Sequence, residues 1–194
     1  MIEMLFPTPV YVHDFTGDQL SSIQKEIAAN LPNIETYKRA DREAGNIVST
    51  FRFANDTYVN DLNVFNLEIT KARIMERVHE YAYTIGYKGN FLKLQGSWFN
   101  FFYKDSFYHD HVHPGVKVAG VYYYKTNEQD GKLRFTNPNP HMFFGNWPAD
   151  GMQEESVRYG PRDGRLILWP AWLVHRVESN ITNSERISIG INFD

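Results

Sequence analysis

The sequence contains no cysteine among its 194 residues. It can therefore form neither a disulfide nor a thiolate metal site, so any metal has to be held by histidine and carboxylate side chains. No apolar run approaches the roughly 20 residues that cross a bilayer, and the first ten residues lack the charged and apolar regions of a signal peptide. These absences predict a soluble, cytoplasmic protein without a membrane partner.

Runs of like charge, Gly/Ser/Pro linkers and internal repeats are also missing. The net charge is -3, and the basic residues are interspersed with acidic ones, so no basic surface for nucleic acid is expected. Hydrophobic residues make up 42% of the chain and aromatic residues 15%, which is enough for a proper core. We expect a single domain over residues 1–194.

The N-terminal region begins with a strand and a short helix. Residues Leu5 to Phe15 are rich in β-branched and aromatic side chains, and their prolines favour the edge of a sheet. Leu20, Ile23 and Ile27 then recur at helical spacing after a capping residue, Thr16 or Asp18. We expect this helix to stop at Pro32.

A longer helix is predicted before residue 90. Residues 33–56 are polar and aperiodic, which indicates a loop. Apolar residues then mark one face of a helix from Leu67 to Ile85, and Gly86 stands in the position of its C-cap. Residues 1–90 are thus expected to supply an N-terminal strand and two supporting helices.

From residue 91 onward the sequence changes to short aromatic or β-branched segments separated by turn-forming clusters. This spacing is typical of a sandwich or jelly roll, so residues 91–194 should form the β core. Six strands are predicted: Phe91 to Tyr103, Val116 to Lys125, Lys132 to Phe135, Arg165 to Trp169, Val174 to Val177 and Arg186 to Phe193.

The main chemical signal is a cluster of three histidines, His109, His111 and His113, within five residues. Alternation in a strand would place all three on one face, where two imidazoles can share a cation. His175, which lies 62 residues after His113, is the natural third ligand of a facial triad with open coordination positions. An exposed polar strand edge is the competing interpretation.

Only two of the clustered histidines are needed for such a triad. We choose His111 and His113, because Pro114 and Gly115 turn the chain just after them. Asp110 should point to the opposite face of the strand, so it is a ligand only if the strand bulges there. The isolated residues His13, His79 and His141 are not assigned to the site.

A second candidate site lies on the last predicted strand. Arg186 follows His175 by eleven residues, and alternation places it on one face with Ser188. A guanidinium beside a hydroxyl suits a carboxylate ligand, because Arg offers paired donors in a rigid fork. Among the consecutive tyrosines 122–124, Tyr123 is the preferred further donor, and at least one of the three should simply pack the sheet. An ordinary surface arginine is the alternative.

At this point the sequence resembles a known family. The segments HDHVHPGVKVAGVYYY, DGKLRFTNPNP, GRLILWPAWLVHRV and RISIGIN are similar to those of small 2-oxoglutarate- and Fe(II)-dependent oxygenases of bacteria and phages, relatives of the prolyl hydroxylases. LFPTPVYV and SWFNFF extend the resemblance over nearly the whole chain. It implies a mainly β fold with flanking helices, a double-stranded β-helix of the cupin-like jelly-roll type.

The resemblance also implies a cofactor set of Fe(II), 2-oxoglutarate and O2, with hydroxylation of a substrate and release of succinate and CO2. It assigns the metal to His111, His113 and His175, and the 2-oxoglutarate to Arg186, Ser188, Tyr123 and Asn100. The wider superfamily has His-x-Asp where this chain has His-x-His. The site is therefore one unit more positive, which should alter metal preference and oxygen reactivity.

Two other functions remain open: a cupin-like metal enzyme that does not use 2-oxoglutarate, and a catalytically silent metal-binding module. The substrate is unidentified, a peptide side chain or a small molecule, and we expect residues 33–56 and 137–162 to form rims that select it. Trp98, Phe99, Trp169 and Trp172 are candidates for shielding the reaction. Apolar edge strands would permit a homo-oligomer.

Overall fold

The computed structural model describes residues 7–40, 45–54, 57–89, 92–139 and 155–194. The helices in these ranges are α1 Gly17–Glu35, α2 Asp61–Val64 and α3 Glu68–Thr84. The strands are β1 Tyr11–Asp14, β2 Arg39–Ala40, β3 Gly45–Ser49, β4 Phe53–Ala54, β5 Thr57–Tyr58, β6 Leu94–His111, β7 Val118–Lys125, β8 Leu133–Thr136, β9 Ser156–Tyr159, β10 Arg165–Pro170, β11 His175–Val177 and β12 Arg186–Phe193. None of the helices in the described part of the chain is long and apolar enough to cross a bilayer.

Ten of the strands form one curled antiparallel sheet in the order β1-β10-β7-β12-β6-β11-β8-β9, with β3 added to β6 and β2 added to β3. β4 and β5 form a separate hairpin. The curled sheet is that of a jelly roll, so the predicted fold class, mainly β with flanking helices, is confirmed.

The long strand β6 passes from one layer of the roll to the other. Its first part pairs with β12 and β3, whereas its end pairs with β11. The chain bends near Asp105, which has a φ of 65° and donates its N–H to the carbonyl of Asn180 at 2.7 Å. Beyond this bend the end of β6 pairs with β11.

Strand β12 separates the core from the interior of the roll. All eight of its residues are buried. Its apolar residues face the helices and pack in one cluster with side chains of α1 and α3: Ile187, Ile189, Ile191, Phe193, Ile23, Ile27, Ile34, Ile74, Val78 and Tyr81. The alternate residues, Arg186, Ser188, Gly190 and Asn192, line the interior cavity.

The N-terminal strand and helix are present, but their boundaries differ from the prediction. β1 is an edge strand paired with β10, as predicted, but it covers only Tyr11–Asp14 of the predicted Leu5 to Phe15, of which Leu5 and Phe6 lie outside the described residues. The prediction that α1 stops at Pro32 is wrong, because the helix continues to Glu35. The extra turn buries Ile34 completely, and such burial contributes about 1.5–3 kcal/mol, which offsets most of the roughly 3 kcal/mol that an internal proline costs.

The end of α3 follows the prediction. Gly86 has a φ of 74°, and the N–H of Tyr87 donates to the carbonyl of Ala82 at 2.9 Å. The N–H of Gly86 donates to Tyr83 at 3.0 Å, which completes a Schellman motif.

Two segments expected to be loops contain strands. Within residues 33–56, β3 pairs with β6 and buries Ile47, so the prediction of an aperiodic loop there is wrong. Within residues 137–162, β9 pairs with β8, and two of its four residues are exposed, so the segment shows no apolar pattern. Residues 140–154 lie outside the described residues, as does Phe91 of the first predicted core strand.

Candidate active site

Three histidines converge at the open side of the roll. β11 pairs with the end of β6 so that His175 lies directly opposite His111, and His113 follows two residues later. The ring centroids of His111 and His175 are 4.2 Å apart, and those of His113 and His175 are 5.1 Å apart. One nitrogen from each ring lies within 4.8 Å of the other two.

Each of the three imidazoles is oriented by a hydrogen bond at Nδ1. Nδ1 of His111 contacts the carbonyl of His109 at 2.8 Å, and Nδ1 of His175 contacts that of Leu173 at 2.9 Å. Nδ1 of His113 contacts Oδ1 of Asn192 at 2.6 Å. Because a carbonyl oxygen only accepts, each Nδ1 carries the proton and each Nε2 keeps a free lone pair.

Desolvation keeps these imidazoles neutral, with His175 buried and His111 and His113 half-buried. Desolvation, with smaller contributions from the neighbouring histidines, lowers the pKa of His113 to about 4 and that of His175 to about 2. Desolvation also lowers the pKa of His111. Neutral imidazole is the form that binds a metal ion.

The chemistry of this donor set fits a transition metal such as iron, for which imidazole is a suitable ligand. In a facial set, nitrogens bound to one ion at about 2.1 Å lie about 3 Å apart. The separation of up to 4.8 Å therefore has to shorten by as much as about 1.8 Å when a metal binds. In the part of the chain that the structure describes, no other group of three histidines or carboxylates comes this close together.

The prediction that His109 shares one face of the strand with His111 and His113 is wrong. The register between β6 and β11 shifts, with His175 opposite His111 but Val177 opposite Tyr108, so β6 contains one extra residue there. This bulge leaves His109 exposed. Asp110 is exposed as well, with its carboxylate 3.8 Å from Arg176, and it does not join the cluster.

The other histidines left out of the prediction stay outside the cluster where they are described. His13 lies on β1 between the rings of Tyr11 and Phe15, and His79 lies on α3. His141 lies outside the described residues.

A cavity of about 150 Å³ opens beside the histidines. A water molecule needs roughly 10–15 Å³ measured this way, so a small organic ligand fits. All seven predicted site residues line this cavity: His111, His113, His175, Arg186, Ser188, Tyr123 and Asn100.

Arg186 is a buried cation that forms no ion pair with the described residues, although the buried carboxylate of Asp130 interacts with it from beyond ion-pair distance. It is 1% exposed, and its Nη1 donates to the carbonyl of Gly131 at 2.6 Å. Its guanidinium lies 3.8 Å from the ring centroid of Phe102. Within the described ranges it forms no ion pair and its Nε has no acceptor. Desolvation lowers the pKa of Arg186, so an anionic ligand in the cavity would relieve an unfavourable burial of charge.

Three polar side chains form a row across the sheet next to Arg186. Ser188 is paired in register with Tyr123 on one side and with Asn100 on the other. Burial raises the pKa of Tyr123, so its phenol stays protonated and can donate. Oδ1 of Asn100 is buried without a partner among the described residues. Tyr122 and Tyr124 pack on the helix side, as expected for at least one of the three tyrosines.

Two of the four aromatic residues proposed as a shield line the cavity, and two do not. Trp98 and Trp169 line the cavity, and the Trp169 ring lies 4.8 Å from that of His175. The prediction is wrong for Phe99, which faces the helices, and for Trp172, which is 57% exposed and does not line the cavity.

Among the cavity residues that sequence reasoning missed are Asn192, Phe51 and Tyr58. The alternation that selected Arg186 and Ser188 also reaches Asn192, so that signal was present. Phe51 and Tyr58 come from a segment without a periodic pattern.

A family model described as "Putative 2OG-Fe(II) oxygenase" matches residues 96–192, which is half of the chain and contains all seven site residues. No curated protein matches the chain in sequence.

Several solved structures share the fold. A prolyl-4-hydroxylase from Pseudomonas putida has a TM-score of 0.60 and 14% identity, over 96% of this chain and 92% of that chain. HygX from Streptomyces hygroscopicus, with nickel and 2-oxoglutarate bound, has a TM-score of 0.57 and 13% identity, over 96% and 82%. The epimerase SnoN from nogalamycin biosynthesis, in complex with Fe3+, alpha ketoglutarate and nogalamycin RO, has a TM-score of 0.63 and 12% identity, over 96% and 78%.

Proposed function

The chain belongs to the 2OG-Fe(II) oxygenase family, and we propose on this premise that it hydroxylates a substrate with Fe(II), 2-oxoglutarate and O2. The observation that carries the proposal is one cavity lined both by three free imidazole nitrogens and by a buried guanidinium that forms no ion pair with the described residues. The nitrogens suit iron, and the guanidinium suits a carboxylate.

Iron(II) and 2-oxoglutarate are the cofactor and cosubstrate of this family. His111, His113 and His175 would hold the iron through Nε2, since each Nδ1 is engaged elsewhere. When bound, the two supply the oxidising chemistry: 2-oxoglutarate becomes succinate and CO2, and one atom of O2 enters a substrate C–H bond.

The residues beside the metal ligands would bind and orient the cosubstrate. The planar guanidinium of Arg186 is held by Gly131 and Phe102 and can present paired donors to the far carboxylate. The hydroxyl of Ser188 and the phenol of Tyr123 offer further donors in the same row. Asn100 completes the row with an amide whose oxygen has no partner in the described ranges.

The cavity walls would exclude water from the reaction. Trp98 and Trp169 stand beside the histidines, with Trp98 stacked on His113 at 6.1 Å. Excluding water in this way strengthens electrostatic interactions inside the site and limits side reactions.

The substrate would be a peptide side chain or a small molecule, which enters from the open side of the roll. Similar folds serve a hydroxylase and an epimerase, and for this chain we propose hydroxylation. We also propose a cytoplasmic location and a single domain over residues 1–194.

Binding of 2-oxoglutarate to the iron-loaded protein under anaerobic conditions tests the proposal. We expect a charge-transfer absorption band in the visible that disappears in His175→Ala. In Arg186→Ala we expect the band to need at least tenfold more 2-oxoglutarate, because a charge-assisted pair of hydrogen bonds is lost. Arg176→Ala is the matched control, since this arginine pairs with Asp110 outside the cavity.

Iron binding without a band in the wild-type protein would contradict the proposal. That result would instead indicate a cupin-like metal enzyme that does not use 2-oxoglutarate. A band without succinate formation in the presence of O2 and any tested substrate would indicate a silent metal-binding module.

A further inference from the structure

One end of the cavity is built from aromatic rings that the metal and cosubstrate do not require. Phe51, Tyr58 and Trp98, here called the aromatic wall, line it. The ring centroid of Phe51 is 5.1 Å from that of Trp98 and 5.8 Å from that of Tyr58. Trp98 stacks on His113, whereas the adjoining Phe53 is 55% exposed. The wall and Phe53 therefore run from the metal ligands to the surface.

Two glycines allow the aromatic wall to lie flat on the sheet. Gly190 pairs in register with Trp98, and a Cβ there would lie 2.5 Å from the indole ring. A Cβ at Gly96 would lie 2.6 Å from the Cβ of Tyr58. Both rings thus occupy space that only glycine leaves open, which marks a close approach rather than a loose surface contact.

A buried ion pair fixes the segment that carries Phe51. Arg52 contacts the fully buried carboxylate of Asp61 at 2.8 Å, and the hydroxyl of Thr50 donates to the same carboxylate. Oγ1 of Thr50 also accepts from the N–H of Phe99 at 2.8 Å. Phe51 is therefore held between two anchored neighbours and is preorganised for contact with a ligand.

The charges around the cavity restrict what the aromatic wall can bind. Of the described residues that line it, none is a carboxylate, and Arg186 is the sole permanent cation. Arg186 stands four residues from Gly190 along β12, a distance of about 13 Å. A cationic or anionic substrate would find no counter-ion at the wall, because Arg186 would be paired with the cosubstrate.

We propose that the aromatic wall determines substrate specificity and holds an uncharged, apolar group, a saturated ring or an aliphatic side chain, beside the three histidines. This inference rests on the proposed function and names the substrate class for it. The contact presents a C–H bond toward the metal ligands, because the wall begins at the ring that stacks on His113.

Binding of small amides by ligand-detected NMR tests the inference without turnover. The probes are the N-acetyl amides of proline, leucine, lysine and glutamate, added to Zn(II)-loaded protein with and without 2-oxoglutarate. We expect the proline and leucine probes to bind at least tenfold more tightly than the lysine and glutamate probes. Equal binding of all four would overturn the proposal.

Substitutions in the aromatic wall should change the ranking of the probes in a defined way. Phe51→Ala should remove the preference for apolar probes, and Phe51→Glu should reverse it in favour of the lysine probe, because it places a counter-ion at the wall. Tyr103→Ala, on the exposed side of β6, is the matched control and should bind as the wild type does. A Phe51→Glu protein that still prefers the leucine probe would contradict the inference.

Failure of the proposed function gives a different result. If the proposed function is wrong, the wild-type protein shows no 2-oxoglutarate band. If only the present inference is wrong, the band is seen in the wild type and in Phe51→Ala, but the amide probes bind without the expected ranking.

Discussion

A single amide decides which nitrogen of His113 is free to bind a metal. The side chain of Asn192 is 1% exposed and accepts from Nδ1 of His113 at 2.6 Å. The other two histidines are oriented by backbone carbonyls, which no substitution of a side chain removes directly. Asn192 is thus the residue at which a single substitution removes the group that orients one of the three histidines.

We expect Asn192→Ala to weaken metal binding by about 10–100-fold, the usual effect of removing a group that orients a metal-binding histidine. Competition of Co(II) or Fe(II) against a chelator measures this affinity. Asn180→Ala is a suitable control, because Asn180 is also buried and hydrogen-bonded but lies outside the cavity lining. Unchanged affinity in Asn192→Ala would show that His113 is oriented without it.

Much of the candidate site follows from spacing in the sequence. The convergence of His111, His113 and His175 was predicted from alternation and from a distant histidine, and their role as iron ligands stays a prediction. His109 was misplaced because a β-bulge adds a residue between Tyr108 and His111. Such a bulge depends on the register with a strand more than sixty residues away, which no local pattern encodes.

Among the helices, α1 contains a proline in its last turns. Pro32 has no N–H, so the carbonyl of Ala28 loses its helical hydrogen bond. The side chain of Pro32 is exposed, whereas Ile34 two positions later is completely buried. Tertiary packing therefore overrides the local signal that predicted a stop.

Pro32→Ala should stabilise the protein by about 1–3 kcal/mol, because it restores the helical hydrogen bond and removes the penalty of an internal proline. Urea denaturation followed by circular dichroism measures the change in the free energy of unfolding. Asn33→Ala, at an exposed neighbouring position, should change it by less than about 0.5 kcal/mol. A Pro32→Ala protein no more stable than the wild type would mean that the last turn contributes little.

Five of the six strands predicted after residue 90 are close to the observed ones, whereas the two-residue strands were missed. β7, β8, β10, β11 and β12 lie within two residues of their predicted bounds. β6 continues to His111, eight residues beyond the predicted end at Tyr103, because β3 and β11 supply partners on that side. β2, β4 and β5 have two residues each, too few for a periodic signal.

For the molecule as a whole, the buried histidines make stability depend on pH. An unfolded histidine has a pKa near 6.5, whereas burial lowers the pKa of His113 to about 4 and that of His175 to about 2. The folded state therefore binds fewer protons than the unfolded state, so stability falls as the pH drops below about 6.5.

The metal-free protein should accordingly show a declining urea midpoint between about pH 6.5 and 4, since each unit of pKa shift corresponds to about 1.4 kcal/mol. Chemical denaturation across this range measures the slope. In His175→Gln the slope should be shallower, because one of the groups that resist protonation is gone. A wild-type midpoint that is constant or rises on acidification would contradict the expectation.

The position of β12 has a consequence for the synthesis of the protein. It is the last of the described strands in the sequence, yet it lies between β6 and β7. The ribosome must add 68 residues after Lys125 before Phe193 is made, which takes about 3–14 s at 5–20 residues per second. During that interval β6 and β7 each have one edge without its partner β12. We therefore expect chaperones to bind the nascent chain until β12 has been synthesised.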